Sequence, residues 1–255
     1  MLAATMYHHA GDGPFSNPPE LLDRQFAYIR KRGIRTVHAG EELVEGPHLC
    51  MVFDDAYYDF YHHVYPLLKK HGLKAVLGVP TDFVAEETDA EPGERLAIPH
   101  GEALGGALRV RAPLCTWEEI NEMTSPRNGY VTVAAHGAAH KEFGAPGAFV
   151  ADATRAKEAI EERTGRACQT LVSPYGARPQ GCLAALENEY DHLFGIGSEK
   201  YPDWPGAQGW MLRFPADDQN DATSLIDAIF PPRGWRYRLG RLKRRVRRTL
   251  SAGSR

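Results

Sequence analysis

The hydrophobic residues of the first 215 positions fall into two alternating patterns. Short apolar runs, typical of strands that are buried on both faces, alternate with longer segments in which apolar residues recur every three or four positions. The apolar runs predict strands at 2–7, 49–53, 74–79, 130–135, 168–173, 192–197 and 210–215. Strands that alternate with helices pair in parallel, so the pattern favours a parallel barrel of about seven βα units over an open sheet.

The helical segments carry their own start and stop signals. Gly33, Gly72 and Gly165 follow the last periodic residue of three segments, where glycine commonly ends a helix. Thr116 and Glu119 have the spacing of a capping box at the start of a fourth segment. The predicted helices are 20–33, 61–72, 117–123, 151–163 and 181–190.

Composition and loop length suggest how the chain is organised. Of its 255 residues, 43% are hydrophobic and 25% are charged, which suits one α/β domain with a sizeable core. Residues 86–113 interrupt the alternation and are rich in Gly, Pro and Glu. A stretch of that length is usually functional or disordered, so we interpret it as an insertion near the mouth of a site, with a surface loop of no function as the alternative. We therefore predict a single barrel domain over residues 1–230.

The charge is divided unevenly along the chain. Residues 231–255 contain ten Lys and Arg and no Asp or Glu, which leaves 20 Lys and Arg against 33 Asp and Glu, a net charge of −13, in the rest. An apolar stripe runs through this basic tail at Trp235, Leu239, Leu242, Val246 and Leu250. A basic amphipathic helix of this kind suits an anionic membrane surface, and a helix packed on the acidic body is the alternative. No nucleic-acid-binding motif accompanies the charge, so nucleic acid is not an expected partner.

The cysteines and the amino terminus favour a reducing compartment. The four cysteines are far apart and form no CxxC pair, so no zinc-ribbon or thioredoxin-like motif is present. The first ten residues lack the pattern of a signal peptide, and no run of 18 apolar residues occurs. We therefore expect a cytoplasmic protein, which its tail could place peripherally at the inner face of the membrane.

Polar residues that suit one reaction site follow four of the predicted strands. They are Tyr7-His8-His9, Asp54-Asp55, the segment HGAAH at 136–140 and the segment SPYG at 173–176. Because parallel strands present their carboxyl ends on one face, where α/β folds bind ligands, the four groups could converge.

The composition of these groups predicts a metal site. One Asp and two His form a nitrogen and oxygen ligand set for Zn²⁺, and also for Co²⁺, Ni²⁺ or Mn²⁺. Such an ion lowers the pKa of water and polarises a carbonyl group, and a second carboxylate that is not a ligand can take the proton. Two adjacent carboxylates repel each other, and burial adds a further cost. A division of labour, with one Asp as ligand and the other as base, explains why Asp54 and Asp55 stand together.

The order of these groups resembles the polysaccharide deacetylases of the NodB-homology type, carbohydrate esterase family 4. The segment VFDDAYYDFYHHVYPLLKKHGLKAVLGV at 52–79 is similar to the first motif of that family, and HGAAH at 136–140 is similar to its second. The segment KEAIEERTGRACQTLVSPYG at 157–176 resembles its third region, and MYHHA at 6–10 resembles the start of a subgroup that includes poly-N-acetylglucosamine deacetylases. The resemblance covers about residues 2–215 and implies a distorted (β/α) barrel with an incomplete ring.

The resemblance also implies a role for each matching residue. Asp54 would be the general base, and the metal ligands would be Asp55, His136 and His140. The peptide N–H of Tyr175 would help to hold the oxyanion of the tetrahedral intermediate. His8 would be the general acid and His9 is the competing candidate, because alternation along a strand sends the two to opposite sides.

Three further residues are expected to contact the substrate. They are Pro174, beside Tyr175, and Trp210 and Arg213 of the last predicted strand. An alternative for Arg213 is a structural ion pair with Asp217 or Asp218.

Three positions depart from the usual motifs of that family. Ala56 replaces the Gly that follows the two Asp, Gly137 replaces a Ser or Thr in the histidine motif, and Val172 stands where many members have an Arg that orients the base. The late Leu-x-His acid motif of the family is not evident, which is why we assign the acid to His8.

These features together predict a metal-dependent hydrolase that removes an N-acetyl group from an amino sugar of a surface polysaccharide or its lipid-linked precursor. Two other functions are compatible with the same residues. One is an inactive barrel that binds or helps to assemble a glycan. The other is a metal-dependent hydrolase of a different amide or ester.

Overall fold

Seven parallel strands form the ring of the barrel in a computed structural model that describes residues 1–204 and 209–232. Around the ring the order is β1, β3, β4, β5, β6, β7 and β9, and β9 pairs again with β1. Two short strands lie outside the ring, since β2 extends one edge of β3 and β8 runs antiparallel to β1. The strands are β1 Leu2–Tyr7, β2 Arg35–Thr36, β3 His48–Phe53, β4 Ala75–Val79, β5 Val131–Ala135, β6 Thr170–Val172, β7 His192–Ile196, β8 Lys200–Tyr201 and β9 Trp210–Pro215.

The predicted distorted and incomplete (β/α) barrel is confirmed. The ring has seven strands rather than eight, and its weakest joint lies between β5 and β6, where only Ala135 and Leu171 are in register. All seven predicted strands are present, with ends that differ by no more than two residues from the prediction.

Eight α-helices are formed by the described residues, and the five predicted ones are among them. The capping box of Thr116 and Glu119 is formed as predicted, and Gly72 ends its helix in the left-handed conformation. The helix predicted at 61–72 begins as a π-helix, Phe60–Val64, and continues as α2. The helices are α1 Pro19–Lys31, α2 Tyr65–His71, α3 Pro92–Leu96, α4 His100–Ala103, α5 Trp117–Met123, α6 Pro146–Thr164, α7 Leu183–Glu187 and α8 Ser224–Ile229.

Alternation along the strands divides the core into an inner and an outer layer. Each strand of the ring contributes at least one side chain to a cluster inside the barrel. The members of this cluster that lie on the ring are Leu2, Ala4, Cys50, Val52, Val76, Ala134, Val172, Phe194 and Met211. The intervening residues pack against the surrounding helices. His8, Asp54 and His136 each lie an even number of residues after an inward-facing residue of β1, β3 or β5. The same alternation therefore directs their side chains inward, at the carboxyl end of the barrel.

The insertion at 86–113 is folded. It contains α3, α4 and a 3₁₀ helix, Gly106–Arg111. Arg95 is buried beneath it and forms a two-pronged ion pair with Glu119. The predicted basic tail falls outside the described residues apart from 231 and 232. Within the described ranges, no helix has the length and apolar character needed to cross a bilayer.

Candidate active site

The strand ends bring together the three predicted ligands, Asp55, His136 and His140, which we call the Asp55 cluster. Asp55 Oδ1 lies 3.2 Å from His136 Nε2 and 3.0 Å from His140 Nε2, and the two Nε2 atoms are 3.2 Å apart. All three residues are buried. In a tetrahedral site with metal–ligand distances of about 2.0–2.1 Å, neighbouring ligand atoms are roughly 3.3 Å apart.

The Asp55 cluster fits a divalent transition metal by this geometry and by its donor atoms. Asp55 Oδ1 is buried and has no hydrogen-bond partner among the described residues. An unsatisfied carboxylate oxygen that faces two imidazole nitrogens is costly unless a cation or a proton lies between them. The set of two nitrogens and one oxygen suits zinc and its first-row neighbours.

The orientation of His136 is fixed by a neighbouring strand. Its Nδ1 lies 2.8 Å from the carbonyl oxygen of Val172 at the end of β6. A carbonyl can only accept, so Nδ1 carries the proton and Nε2 presents its lone pair to the Asp55 cluster. Val172, which stands where relatives were expected to have an Arg, therefore contributes through its backbone.

The histidine loop is held by Asp152 from α6. This buried carboxylate accepts the backbone N–H of Ala138 at 2.9 Å and that of Ala139 at 3.0 Å. Gly137 has φ of 66°, and a Cβ there would lie 2.8 Å from Asp152 Oδ2. The glycine therefore makes room for the carboxylate, and Asp152 does the steadying expected of the missing Ser or Thr.

The turn that carries the two carboxylates has an unusual backbone. Asp55 has φ of 68° and Ala56 has φ of 51°, both in the left-handed region. This conformation lets Asp54 and Asp55 point to different neighbours although they are adjacent. Glycine adopts it most easily, which accounts for the Gly expected at position 56.

Asp54 is paired with Arg213 rather than with a ligand of the Asp55 cluster. The guanidinium donates from Nη1 to Asp54 Oδ1 at 2.6 Å and from Nη2 to Oδ2 at 3.0 Å. Burial alone would raise the pKa of Asp54, but the ion pair with Arg213 and the charge of His8 hold it below its usual value. Asp54 is therefore an anion at neutral pH.

The expected roles of Arg213 and Trp210 in contacting substrate are not supported by their positions. Arg213 is 0% exposed and lies inside the barrel beneath Asp54, so its contact is with the carboxylate and not with an open pocket. Its partner is Asp54 rather than Asp217 or Asp218. Trp210 is the first residue of β9 and pairs with Leu193, at the amino end of the barrel, whereas the site lies at the carboxyl ends of the strands.

His8 faces Asp54, whereas strand alternation by itself predicted only that His8 and His9 point to opposite sides. His8 Nε2 lies 3.9 Å from Asp54 Oδ2, and its Nδ1 lies 2.6 Å from Asp217 Oδ2. Burial alone would lower the pKa of His8, but the hydrogen bond with Asp217 and the charge of Asp54 raise it to about 9. His9 turns the other way, towards Asp59.

Pro174 and Tyr175 follow β6 and lie beside the histidine loop of the Asp55 cluster. Tyr175 has φ of 56°, its side chain is 57% exposed, and its ring centroid is 4.8 Å from that of His140. Its peptide N–H donates to no backbone carbonyl among the described residues. Pro174 is buried and packs against the histidine loop, since its Cγ is 3.1 Å from the point where a Cβ of Gly137 would lie.

The barrel and the strand-end site define a class of carbohydrate deacetylase, and the comparisons with known proteins agree. The model of the family described as polysaccharide deacetylase matches residues 43–191, more than half of the chain. The chain therefore belongs to the polysaccharide deacetylase family. Both the resemblance and the enzyme class predicted from the sequence are confirmed by this membership.

Individual relatives share part of the sequence or the whole fold. The poly-β-1,6-N-acetyl-D-glucosamine N-deacetylase of Escherichia coli K12 is 27% identical over 123 residues, 45% of this chain and 16% of that protein. The chain thus matches only a small part of this curated relative. Among solved structures, IcaB from Ammonifex degensii has a TM-score of 0.70 at 20% identity and covers 89% of this chain and 96% of its own. The Streptococcus pyogenes deacetylase PplD, in complex with acetate, has a TM-score of 0.69 at 18% identity and covers 90% and 98%. At these identities the structures show the shared fold.

Sequence reasoning missed Asp152 and considered Asp217 only as a partner of Arg213. Asp217 follows the end of β9 and therefore lies at the same barrel end as the other groups, a position that could have indicated its contact with His8. Asp152 stands on the buried face of α6, beside Phe149 and Ala153. An acidic residue on an apolar helix face is the signal that could have found it.

Proposed function

We propose that this chain hydrolyses the N-acetyl group of an amino sugar in a polysaccharide, with a divalent metal held by Asp55, His136 and His140. The observation that carries the proposal is the position of Asp54 Oδ2. It lies 4.0 Å from His136 Nε2 and 3.9 Å from His8 Nε2, between the ligand cluster and an imidazole. When bound, the metal supplies Lewis acidity, which lowers the pKa of water and polarises the acetyl carbonyl.

Asp54 acts as the general base. Its carboxylate is ionised and is held in one orientation by both nitrogens of Arg213. A fixed anion at this point accepts the proton of the attacking water without first having to reorient. Arg213 is a positioning residue, because it touches Asp54 and not the reacting atoms.

His8 acts as the general acid. The pKa of about 9 means that His8 is protonated at neutral pH, as an acid must be before the leaving amine accepts its proton. The carboxylate of Asp217 sets both the charge and the orientation of the ring through its contact with Nδ1. Only Nε2 is then directed towards Asp54 and the substrate.

Tyr175 supports the oxyanion through its backbone. Because φ of Tyr175 is in the left-handed region, the backbone after β6 turns sharply and does not continue as a strand. The N–H donor then stabilises negative charge on the former carbonyl oxygen of the acetyl group. The exposed ring of Tyr175 provides a surface on which a sugar face can stack.

The substrate class is inferred from the relatives. The Escherichia coli protein is named a deacetylase of poly-β-1,6-N-acetyl-D-glucosamine, which favours an N-acetylglucosamine polymer here. We propose that the substrate of this chain is a surface polysaccharide or its lipid-linked precursor. A cytoplasmic location at the inner membrane face, with the basic tail on anionic lipid, stays a prediction.

The first test combines acetate release from an N-acetylglucosamine oligomer with metal content. We expect His140→Ala to lose both the metal and acetate release. Asp54→Asn should keep the metal and lose about 10²–10⁴-fold in rate, since it removes only the base. His62→Ala, a change at an exposed histidine outside the site, is the matched control.

Two outcomes would contradict the proposal in different ways. Metal binding without acetate release, on this oligomer and on other acetylated amino sugars, would point to an inactive barrel or to another substrate. Full acetate release by Asp54→Asn would reject Asp54 as the base and leave the metal site intact.

A further inference from the structure

A second His–Asp–His group lies beside the active site and takes no part in the chemistry described above. We call His9, Asp59 and His100 the His9 cluster. Asp59 Oδ2 lies 3.2 Å from His9 Nδ1 and 3.7 Å from His100 Nε2. One potential ligand atom from each residue lies within 4.8 Å of the other two, as in the Asp55 cluster. The two Asp59 distances bracket the roughly 3.3–3.4 Å expected between ligand atoms on a tetrahedral zinc ion.

The charges and contacts of the His9 cluster are not satisfied by its own members. Asp59 is 6% exposed, and its Oδ1 has no hydrogen-bond partner among the described residues. A cation coordinated by the carboxylate and the nearby imidazole nitrogens would compensate this buried charge.

Three separate elements supply the residues. His9 follows β1, and its backbone is fixed by hydrogen bonds with Phe15 and Asn17. Asp59 immediately precedes the π-helix Phe60–Val64. His100 is the first residue of α4, inside the insertion at 86–113. The His9 cluster is therefore the place where the insertion meets the barrel.

The insertion is anchored well enough to hold His100 in place. Arg95, the fourth residue of α3, donates to the carbonyl oxygens of Ala112 and Leu114. It also pairs with both oxygens of Glu119 on α5. The chain between Arg95 and Ala112, which includes His100, is thus closed into a loop whose ends are joined.

We propose that His9, Asp59 and His100 bind a second divalent transition-metal ion, of the zinc class, which ties the insertion to the barrel. Two imidazoles and one carboxylate form the nitrogen and oxygen set that such ions prefer. The site is distinct from the Asp55 cluster, because the two share no ligand.

Tyr57 lies between the two clusters and connects them. Its ring centroid is 3.8 Å from that of His9 and 5.2 Å from that of His100. Burial and the nearby charge of Asp55 raise the pKa of the Tyr57 hydroxyl, so the same side chain also lies close to the Asp55 cluster. An ion in the His9 cluster would therefore fix one face of a ring that lies beside the active site, and its role would be structural.

The test is the number of zinc ions that the full chain retains. Chelator-treated protein is given zinc alone, passed through a desalting column and analysed for bound metal. We expect about two zinc ions per chain in the wild type, about one in His100→Ala, about one in His140→Ala and none in the double variant. His62→Ala, which removes an exposed histidine close to Asp59 in the chain, should still retain about two.

A second measurement guards against a folding defect in His100→Ala. Zinc should slow proteolytic cleavage within residues 86–113 in the wild type and in His140→Ala, and it should have no such effect in His100→Ala. About one zinc ion per chain in the wild type that is lost in His140→Ala and kept in His100→Ala would overturn the second site. Two zinc ions in His100→Ala, or equal protection of its insertion, would do the same.

Discussion

Asp54 and Asp55 are adjacent in the chain but belong to two regions that compensate negative charge in different ways. Asp55 faces two imidazoles, and the charge of its buried Oδ1 is left for an ion. Asp54 already has a permanent cation, because Arg213 reaches it from β9 with two hydrogen bonds. A metal would therefore be drawn to Asp55, and Asp54 would stay available as the base that we propose. The different partners, and not the carboxylates themselves, assign the two roles.

The groups that hold Asp54 and Asp55 in place differ in kind as well. The Asp55 cluster is held by backbone contacts, namely the Val172 carbonyl on His136 and the Ala138 and Ala139 N–H groups on Asp152. Asp54 and His8, which we call the Asp54 side, are held by charged side chains, namely Arg213 of β9 and Asp217 just after that strand. Substitutions on the Asp54 side should therefore act through charge, and those on the Asp55 side through geometry.

The largest effect is expected from removing the cation of the Asp54 side. Arg213→Met leaves a buried carboxylate without its partner and should lower the free energy of unfolding by about 3–5 kcal/mol, measured by urea denaturation. Adding Asp54→Asn removes the unpaired charge, so the double variant should be more stable than Arg213→Met alone. A loss below about 1 kcal/mol in Arg213→Met would show that Asp54 does not depend on this ion pair.

On the Asp55 side, Asp152→Ala should cost about 2–3 kcal/mol in the free energy of unfolding. The reason is local, because two backbone N–H groups of the histidine loop lose their hydrogen-bond acceptor. The zinc affinity of the Asp55 cluster should weaken as well. Glu158→Ala, an exposed acidic residue on the same helix, is the control and should change stability by less than about 0.5 kcal/mol. Equal stability of the two variants would mean that the loop keeps its shape unaided.

The next prediction concerns the pH dependence that the charges around His8 produce. Its pKa, raised from 6.5 to about 9, implies that activity falls as pH rises through about 9. The stability contributed by His8 follows the same sign: it is fully present below pH 6.5 and is lost as pH rises through about 9. Asp217→Asn removes the hydrogen-bonded carboxylate, so the alkaline limb of kcat/KM should move down by about one to two pH units.

The neighbouring carboxylate supplies the control for that experiment. Asp218 is exposed and accepts a hydrogen bond from the backbone of Phe15 rather than from His8. Asp218→Asn should leave the alkaline limb where it is. An unmoved limb in Asp217→Asn would assign that limb to a group other than His8.

The smallest effect is expected at the turn between the two sides. Ala56 has φ of 51°, so Ala56→Gly should relieve the cost of a Cβ in the left-handed region. The gain is partly offset by the entropy of glycine, which leaves a net stabilisation of about 0.5–1 kcal/mol. Ala151→Gly, in the interior of α6, should have the opposite sign and about 1 kcal/mol magnitude. Destabilisation by Ala56→Gly would reject strain at this turn.

The sequence predicted what lies close along the chain. The apolar runs located the strands, and Asp54-Asp55 and HGAAH follow two of them directly, so the groups that could supply the ligands were found, and the family resemblance assigned a role to each. Strand alternation separated His8 from His9, since odd and even positions of β1 face different layers. Each of these inferences depends on a period of two or on the residues next to a strand.

The partners of the site could not be predicted in the same way. Arg213 and Asp54 are 159 residues apart, and their contact exists because β9 closes the ring beside β1. The role of Asp217 depends on the same closure. His100 lies in an insertion with no periodicity, so nothing in the sequence placed it near His9. These positions depend on tertiary packing, which the local pattern does not contain.

The weak joint between β5 and β6 links metal binding to the stability of the whole barrel. The two strands are in register at one pair, Ala135 and Leu171, and the bond from His136 Nδ1 to the Val172 carbonyl is a further contact across that joint. A ligand that holds His136 therefore also holds the ring closed. At a free zinc concentration about 100 times its Kd, such coupling raises the free energy of unfolding by about 2.7 kcal/mol. The thermal unfolding of this protein should accordingly report the loading of its active site.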